Sequence, residues 1–463
     1  MKLKVLKKGL LVMGGLILGS SAYAQYLRTS YFMEGTSSRI QLNPGLQPTR
    51  GYFNFPVIGS LNVGASSNVL GTSDIVDFFD SDGTDIFDND DLYNRLKSDN
   101  RLNVNLNTDI FSFGWYKGKG FWSVNVGLRT DVGASVPKDM FEYLRDANHY
   151  DGGAMNGSIT DLKMNINAYA EIGLGYSRPI TDRLTVGGRV KVLLGIANAE
   201  MEVNKFEIDT NLPADYQNPS AWDAGKTYTA EYTSKAQITT TMKGGCLSYD
   251  DNEVIDGFDF DGGDYGISGA GFGIDLGATY KLFDHVTLSA AVLDLGFIKW
   301  NKSHTTVASV DKSEKINVNM DNYDQYISDD FLDFERFSLK DDEDAVKSRT
   351  KKLSSTILLA GEYAMFDNKL SVGAMYTARF VEPKTMNELT LSATYRPKNW
   401  LNAAVSYSPI QACGKSLGIA LKLGPLFLGT DYMFFGNNSR SVNAFVGLSF
   451  PMGLSKKDAC CKN

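Results

Sequence analysis

Residues 161–196 read DLKMNINAYAEIGLGYSRPITDRLTVGGRVKVLLGI, and their alternation decides the fold. In the first half Leu162, Met164, Ile166, Ala168, Ala170, Ile172 and Leu174 alternate with Lys163, Asn165, Asn167, Tyr169 and Glu171. In the second half Leu184, Val186, Val190, Val192 and Leu194 alternate with Arg183, Thr185, Arg189 and Lys191. A period of two belongs to a strand with one apolar and one polar face. The polar turn RPITDR (178–183) between the halves predicts an antiparallel pair. Each half runs well past the roughly five or six residues of an ordinary strand and suits a tilted crossing of a bilayer.

Working outward, the same alternation recurs in RLNVNLNTDI (101–110), FWSVNVGLR (121–129), KLSVGAMYTARF (369–380), ELTLSATYR (388–396), KSLGIALKL (415–423) and SVNAFVGLSF (441–450). Six connections are short: 114–120, 178–183, 282–285, 366–369, 396–400 and 424–426. Between them lie other connections, four of which are long: 67–100, 135–160, 200–266 and 301–350. Short and long ends in alternation are the mark of a transmembrane antiparallel β-barrel with short periplasmic turns and long extracellular loops. The reading is all-β, with fourteen strands between 51 and 450; TYTAEYTSKAQITTT (227–241) and KINVNM (315–320) are either loop hairpins or an extra spanning pair, which would make sixteen. Trp115, Phe121, Trp122, Tyr176, Tyr280, Phe283, Tyr395 and Trp400 flank the short turns, as an interfacial girdle requires.

Composition agrees. Among 463 residues there are 45 Gly and 23 Tyr, and no apolar run approaches the length of a spanning helix. A net charge of −8 argues against a nucleic-acid partner, which favours a basic face. The four cysteines, Cys246, Cys413, Cys460 and Cys461, are too few and scattered for a disulfide framework and lack metal-site spacing. At the N-terminus Lys2, Lys4, Lys7 and Lys8 precede an apolar run, Leu10 to Leu18, and the Ala22-Tyr23-Ala24 cleavage pattern. Residues 1–24 read as a secretory signal peptide, so the expected location is the cell outer membrane.

The block YFMEGTSSRIQLNPGLQPTRGYFNFPVIGSLNVGASSN (31–68) has two prolines before Thr49 and then an aromatic strand. It resembles the N-terminal block of a family of outer-membrane barrels of unassigned function from Gram-negative bacteria. More distantly it is similar to the long-chain fatty-acid transporter (FadL-type) barrels, whose N-terminal segment carries Asn-Pro-Ala and folds inward as a hatch. The resemblance implies that residues 25–50 form a hatch inside the barrel, turning at Asn43, Pro44 and Gly45, with residues 451–463 as a periplasmic tail. A Pro-broken backbone cannot face lipid and needs enclosure by protein or water. An ordinary tight turn leading into the first strand fits the same three residues.

Charge on the lipid face is costly, so Arg129, Lys163, Asn165, Glu171, Arg189, Lys191, Asp275 and Arg379 are expected to line the lumen, with Glu362 and Lys422. Their mixed signs suit a water-filled or plugged interior or an ion-paired filling. No cofactor is expected. The acidic run 74–91 contains DSDGTD, and Asp80, Asp82 and Asp85 are the calcium candidates; aligned on Gly83, however, Phe78 and Asn89 occupy the first and twelfth positions of an EF-hand, where ligands belong. A solvated acidic loop is the plainer reading. The three histidines come with no GxSxG or HExxH motif, so no enzyme is expected.

Two functions fit. One is a hatch-gated channel or transporter for a small hydrophobic or amphipathic molecule. The other is a barrel that docks a secretion or surface-assembly protein partner. Both place the chain against outer-membrane lipid. An apolar lumen opening outward favours the first, and a solid lumen with an apolar loop patch the second.

Overall fold

The computed structural model describes residues 28–34, 36–54, 60–71, 73–74, 89–251, 253–327, 339–381, 384–411, 414–432 and 439–461. The signal-peptide stretch, Cys413 and the calcium candidates Asp80, Asp82 and Asp85 lie outside these residues. Fourteen strands form the barrel. They are β1 (Arg50–Asn54, resuming at Ser60–Ser67), β2 (Asp99–Lys117), β3 (Gly120–Pro137), β4 (Leu162–Pro179), β5 (Leu184–Leu212), β6 (Gly269–Phe283) and β7 (Val286–Trp300). Next come β8 (Thr356–Met365), β9 (Leu370–Arg379), β10 (Met386–Lys398), β11 (Leu401–Ile410), β12 (Ser416–Leu423), β13 (Leu426–Thr430) and β14 (Ser441–Ser455). Each pairs antiparallel with its neighbours, and β1 pairs with both β2 and β14, so the sheet closes without an edge.

Facing follows the period of two. On β5, Val190 and Val192 are 46% and 52% exposed, as lipid-facing side chains are in the isolated chain, while Arg189 and Lys191 between them are buried. On the outer face by the short-turn rim, Trp115, Trp122 and Tyr176 sit opposite one another in register; the two Trp rings stack, and the Tyr176 ring lies tilted by 46° against Trp122. Phe121 departs from the girdle expectation. It is fully buried and packs inward on Tyr52 and Tyr116, because its parity is that of the lumen face.

The sixteen-strand alternative is not realised. Tyr228–Met242 pairs with Thr305–Val318 and with the far half of β5, and Gly153–Ile159 pairs with that half from the other side. A tilted spanning strand needs about 9–11 residues. With 29 residues, β5 therefore continues beyond the cylinder as the spine of an external sheet. One hydrophobic core joins the loops here: Val69 and Leu92 from the first, Tyr143 from the second, Phe206 and Trp222 from the third, and Val318 from the fourth. The helix Lys138–Asn148 covers it with Met140, Tyr143, Leu144 and Ala147, the i, i+3, i+4, i+7 stripe of an amphipathic helix. Thus the long loops form a packed external layer. Within the acidic run, Asp74 is buried and pairs with Arg95 at 3.0 Å.

At the other rim β14 continues to Ser455, opposite Arg50, and the helix Lys456–Cys461 folds back. Its Ala459 packs against Ile40, Tyr52 and Phe121.

Candidate functional site

Residues 28–48 run through the inside of the cylinder. Their contacts establish this. At one end the backbone amide of Thr29 donates to Asp431, just past β13, at 2.7 Å, and its hydroxyl shares a hydrogen bond with Ser406 of β11. Further along, the Asn43 side-chain amide donates to the carbonyls of Ala278 on β6 and Ala290 on β7, at 3.3 and 3.2 Å. Strands β6 and β13 stand on opposite sides of a fourteen-stranded barrel, so a chain touching both crosses the lumen. Between these points Met33 packs with Ala404, Ala420, Phe427 and Phe445, and the Phe32 carbonyl accepts from Arg396. Glu34 meets Asn368 in the β8–β9 turn, and Gln47 reaches the carbonyl of Lys119 in the β2–β3 turn. Those two contacts lie at the short-turn rim.

Local chemistry shapes the segment. A short helix, Ser38–Leu42, ends where Asn43 takes extended backbone (φ −157°), as expected for a residue preceding proline. Pro44 and Gly45 then form the centre of a turn. The Leu46 amide donates to the Asn43 carbonyl at 2.9 Å, and the Gly45 amide to Asn43 Oδ1 at 2.8 Å. Gly45 is required by proximity, since a Cβ there would lie 2.9 Å from the Ala278 backbone. The wall is shaped to match. A Cβ on Gly277 would lie 2.1 Å from Asn43 Oδ1, and one on Gly187 2.1 Å from the Pro44 carbonyl oxygen.

Five of the eight lumen candidates come together in one buried ion network. Arg129 pairs with Glu171 at 2.7 Å, Arg189 with Asp275 at 2.5 Å, and Lys191 with Asp275 at 2.7 Å. Lys191 also contacts Asp294, and Asn125 donates to Glu171 at 3.0 Å. Gln41 ties the crossing segment to this network: its amide donates to Asp109, and its carbonyl accepts from Arg129 at 3.2 Å. Arg379 lies apart, paired with Asp131 at 2.6 Å. Asn165 accepts from Asn167 at 2.7 Å, and Lys163 is exposed outside the network. Glu362 pairs with Arg396, and Lys422 donates to the Asn399 carbonyl.

Asp294 and Gln41 escape a reading by parity, whereas Asp109 shares the odd, polar face of β2 with the buried Asn103 and Asn107. On β7, Leu293 and Asp294 stand opposite the single residue Asp275, and this bulge, with Asp294 at φ 58°, turns an even-numbered side chain inward. A second irregularity follows Asp109 on β2. Such bulges leave no pattern in the alternation. At the other end of the segment Arg28 pairs with Glu388 at 2.6 Å, and together with Arg379, Tyr432, Asn105 and Asn443 they line a polar cavity of about 40 Å³. That is room for a few waters. Two larger depressions are apolar and lie on the lipid-facing wall, one beside Val372, Leu391, Val405 and Tyr407 and the other beside Tyr280, Leu288, Leu359 and Tyr376.

Comparison with known proteins places the chain. The sequence profile of a family of unknown function, DUF5723, matches residues 44–431. The chain belongs to this family. The match begins at Pro44 of the Asn43–Leu46 turn and takes in β1 to β13. Among solved structures, the DUF5723 chain is similar to the Ralstonia pickettii toluene transporter TbuX, with 12% identity and a TM-score of 0.40 over 94% of this chain and 96% of that one. The P. putida toluene transporter TodX gives 13% identity and a TM-score of 0.39 over 94% and 97%. The translocator domain of the Neisseria meningitidis autotransporter NalP gives 9% and 0.32 over 94% and 100%. Among curated proteins none matches.

Proposed function

We propose that this protein is an outer-membrane channel gated by its own N-terminal segment, passing a small amphipathic molecule when residues 28–48 shift from the lumen. One observation carries the reading. The strand ladder closes from β1 to β14 without the segment, which fills the interior as a separate piece of chain held by discrete polar contacts. Side chains alone fill a barrel of about eight strands, and a fourteen-stranded one is wider, so its lumen leaves room for a separate segment to occupy and to leave. Beside the segment, the buried hydroxyls of Ser371, Ser392 and Thr394 make no hydrogen bond to protein, so they offer polar groups to a solute. That polar wall supports the amphipathic end of the solute range over a pure hydrocarbon. No chemical step belongs to this reading.

The test is deletion of residues 33–48, with folding checked by heat-modifiable gel mobility. Faster swelling of liposomes in small solutes is expected. Unchanged swelling in folded barrel would defeat the hatch. A second reading, docking of a surface protein, is favoured by the shared core of the four long loops. It predicts that replacing the external sheet 200–266 by a short turn abolishes partner binding and leaves swelling unaltered.

A further inference from the structure

The lysines of this chain divide by what they face. In the external sheet Lys205 pairs with Glu207, Lys235 with Asp311, Lys312 with Glu314 and Lys315 with Glu231. Lys351, beside β8, pairs with Glu200. The next residue, Lys352, points the other way. It stands opposite Phe297 in register and is exposed on the outer wall; Lys299, two residues along β7, is exposed on the same face. Among the described residues neither makes an ion pair, although the chain carries 54 acidic against 46 basic residues.

Their place on the wall explains what they face. Lys299 stands opposite Ala270 and Thr350, one residue short of the end of β7 at the long-loop rim. Toward the membrane centre, Phe272 and Phe297 oppose each other in register and are 43% and 47% exposed. Below these come Leu295 and Leu276, also exposed. The wall therefore passes from aliphatic to aromatic to basic over a few residues, the order expected from acyl chains to headgroups. Lys299 and Lys352 occupy a cross-strand diagonal, with Cβ atoms roughly 7–8 Å apart, so two flexible ammonium groups can meet one anion.

We propose that Lys299 and Lys352 bind the phosphate of an anionic lipid headgroup in the leaflet at the long-loop rim, with Phe272 and Phe297 against the start of its acyl chains. The lipid supplies the counter-charge that the protein provides for Lys205, Lys235, Lys312, Lys315 and Lys351. Snorkelling alone accounts for a lysine at an interface; it does not account for two neighbouring lysines without an acid in so acidic a chain.

The experiment titrates the purified full-length protein, in nonionic detergent, with lipid A bisphosphate and with phosphatidylcholine, and counts bound lipid by native mass spectrometry. The unaltered protein should retain the phosphorylated lipid and not phosphatidylcholine. Lys299→Gln/Lys352→Gln should weaken retention about thirtyfold. Lys299→Arg/Lys352→Arg, which keeps both charges, and Lys243→Gln, whose lysine pairs with Asp264, should bind as the unaltered protein does. Equal retention in the double glutamine variant, an equal loss in Lys243→Gln, or equal binding of phosphatidylcholine would overturn the site. Displacement by inorganic phosphate at the same concentration would make it a soluble-anion site and overturn the lipid assignment.

Discussion

The two sides of the barrel are built differently. Strands β2 to β7 are 15 to 29 residues long and carry the ion network of Arg129, Glu171, Arg189, Lys191, Asp275 and Asp294. Strands β8 to β13 are 5 to 13 residues long and present small inward groups such as Ser371, Gly373, Ser392, Thr394 and Ser406. Both sides hold the same segment, one through Gln41 and Asn43 and the other through Arg28, Thr29 and Met33. The difference separates anchoring from accommodation. On the long wall charge forms one connected network, whereas on the short wall it stands in separate pairs, Glu362 with Arg396 and Glu388 with Arg28, among small polar side chains.

The largest expected effect is therefore on the long wall. Asp275→Leu removes the carboxylate shared by Arg189 and Lys191 and leaves two buried cations short of a partner. A loss of about 3–5 kcal/mol is expected in urea unfolding from lipid vesicles. Thr394→Val on the short wall deletes a buried hydroxyl that has no protein partner and should change stability by under about 1 kcal/mol in either direction. Equal losses from the two substitutions would erase the contrast.

How much of this was legible in the sequence follows from the same contrast. Strict alternation exposed the barrel, the fourteen-strand count and the inward placement of Arg189, Lys191 and Glu171, because a residue's face depends only on parity while a strand is regular. It failed where regularity fails. Asp294 enters the network through a bulge, and β5 continues beyond the bilayer into the external sheet across register shifts at Ile196 and between Val203 and Lys205. Contacts such as Gly277 with Asn43 join residues more than 200 positions apart, and a lone glycine in a strand does not declare its partner.

Next in size is Gly277→Val. Its side chain would occupy the space of Asn43 Oδ1 and so push the turn from the wall, with loss of the two bonds to the Ala278 and Ala290 carbonyls at about 1 kcal/mol each. Liposome swelling should rise toward that of the segment deletion, in barrel that still shows heat-modifiable mobility. Unchanged swelling would mean that the Asn43 contact does not hold the segment in place. On the opposite wall, Glu388→Gln removes the ion pair to Arg28 and leaves the Thr29–Asp431 bond intact. A smaller rise in swelling is expected, because only the first residue of the described segment loses its charged partner. A Glu388→Gln effect equal to that of Gly277→Val would move the main anchor to the short wall.

The smallest effect belongs to Pro44→Ala. Pro44 holds φ for the turn and directs Asn43 into extended backbone, yet the Leu46–Asn43 and Gly45–Asn43 bonds do not involve its ring. Alanine can adopt the same turn. The substitution therefore acts chiefly by giving the free chain more conformations to lose on docking, a cost of about 0.4–1 kcal/mol. Spread over a segment also held by Gln41, Thr29 and Met33, that loss should raise the swelling rate only slightly and leave unfolding unchanged. A Pro44→Ala protein that swells like the deletion would show that the turn is the sole latch, with Gln41 and Met33 mere packing; one that unfolds earlier would make the segment part of the barrel's own stability and remove the distinction between wall and plug.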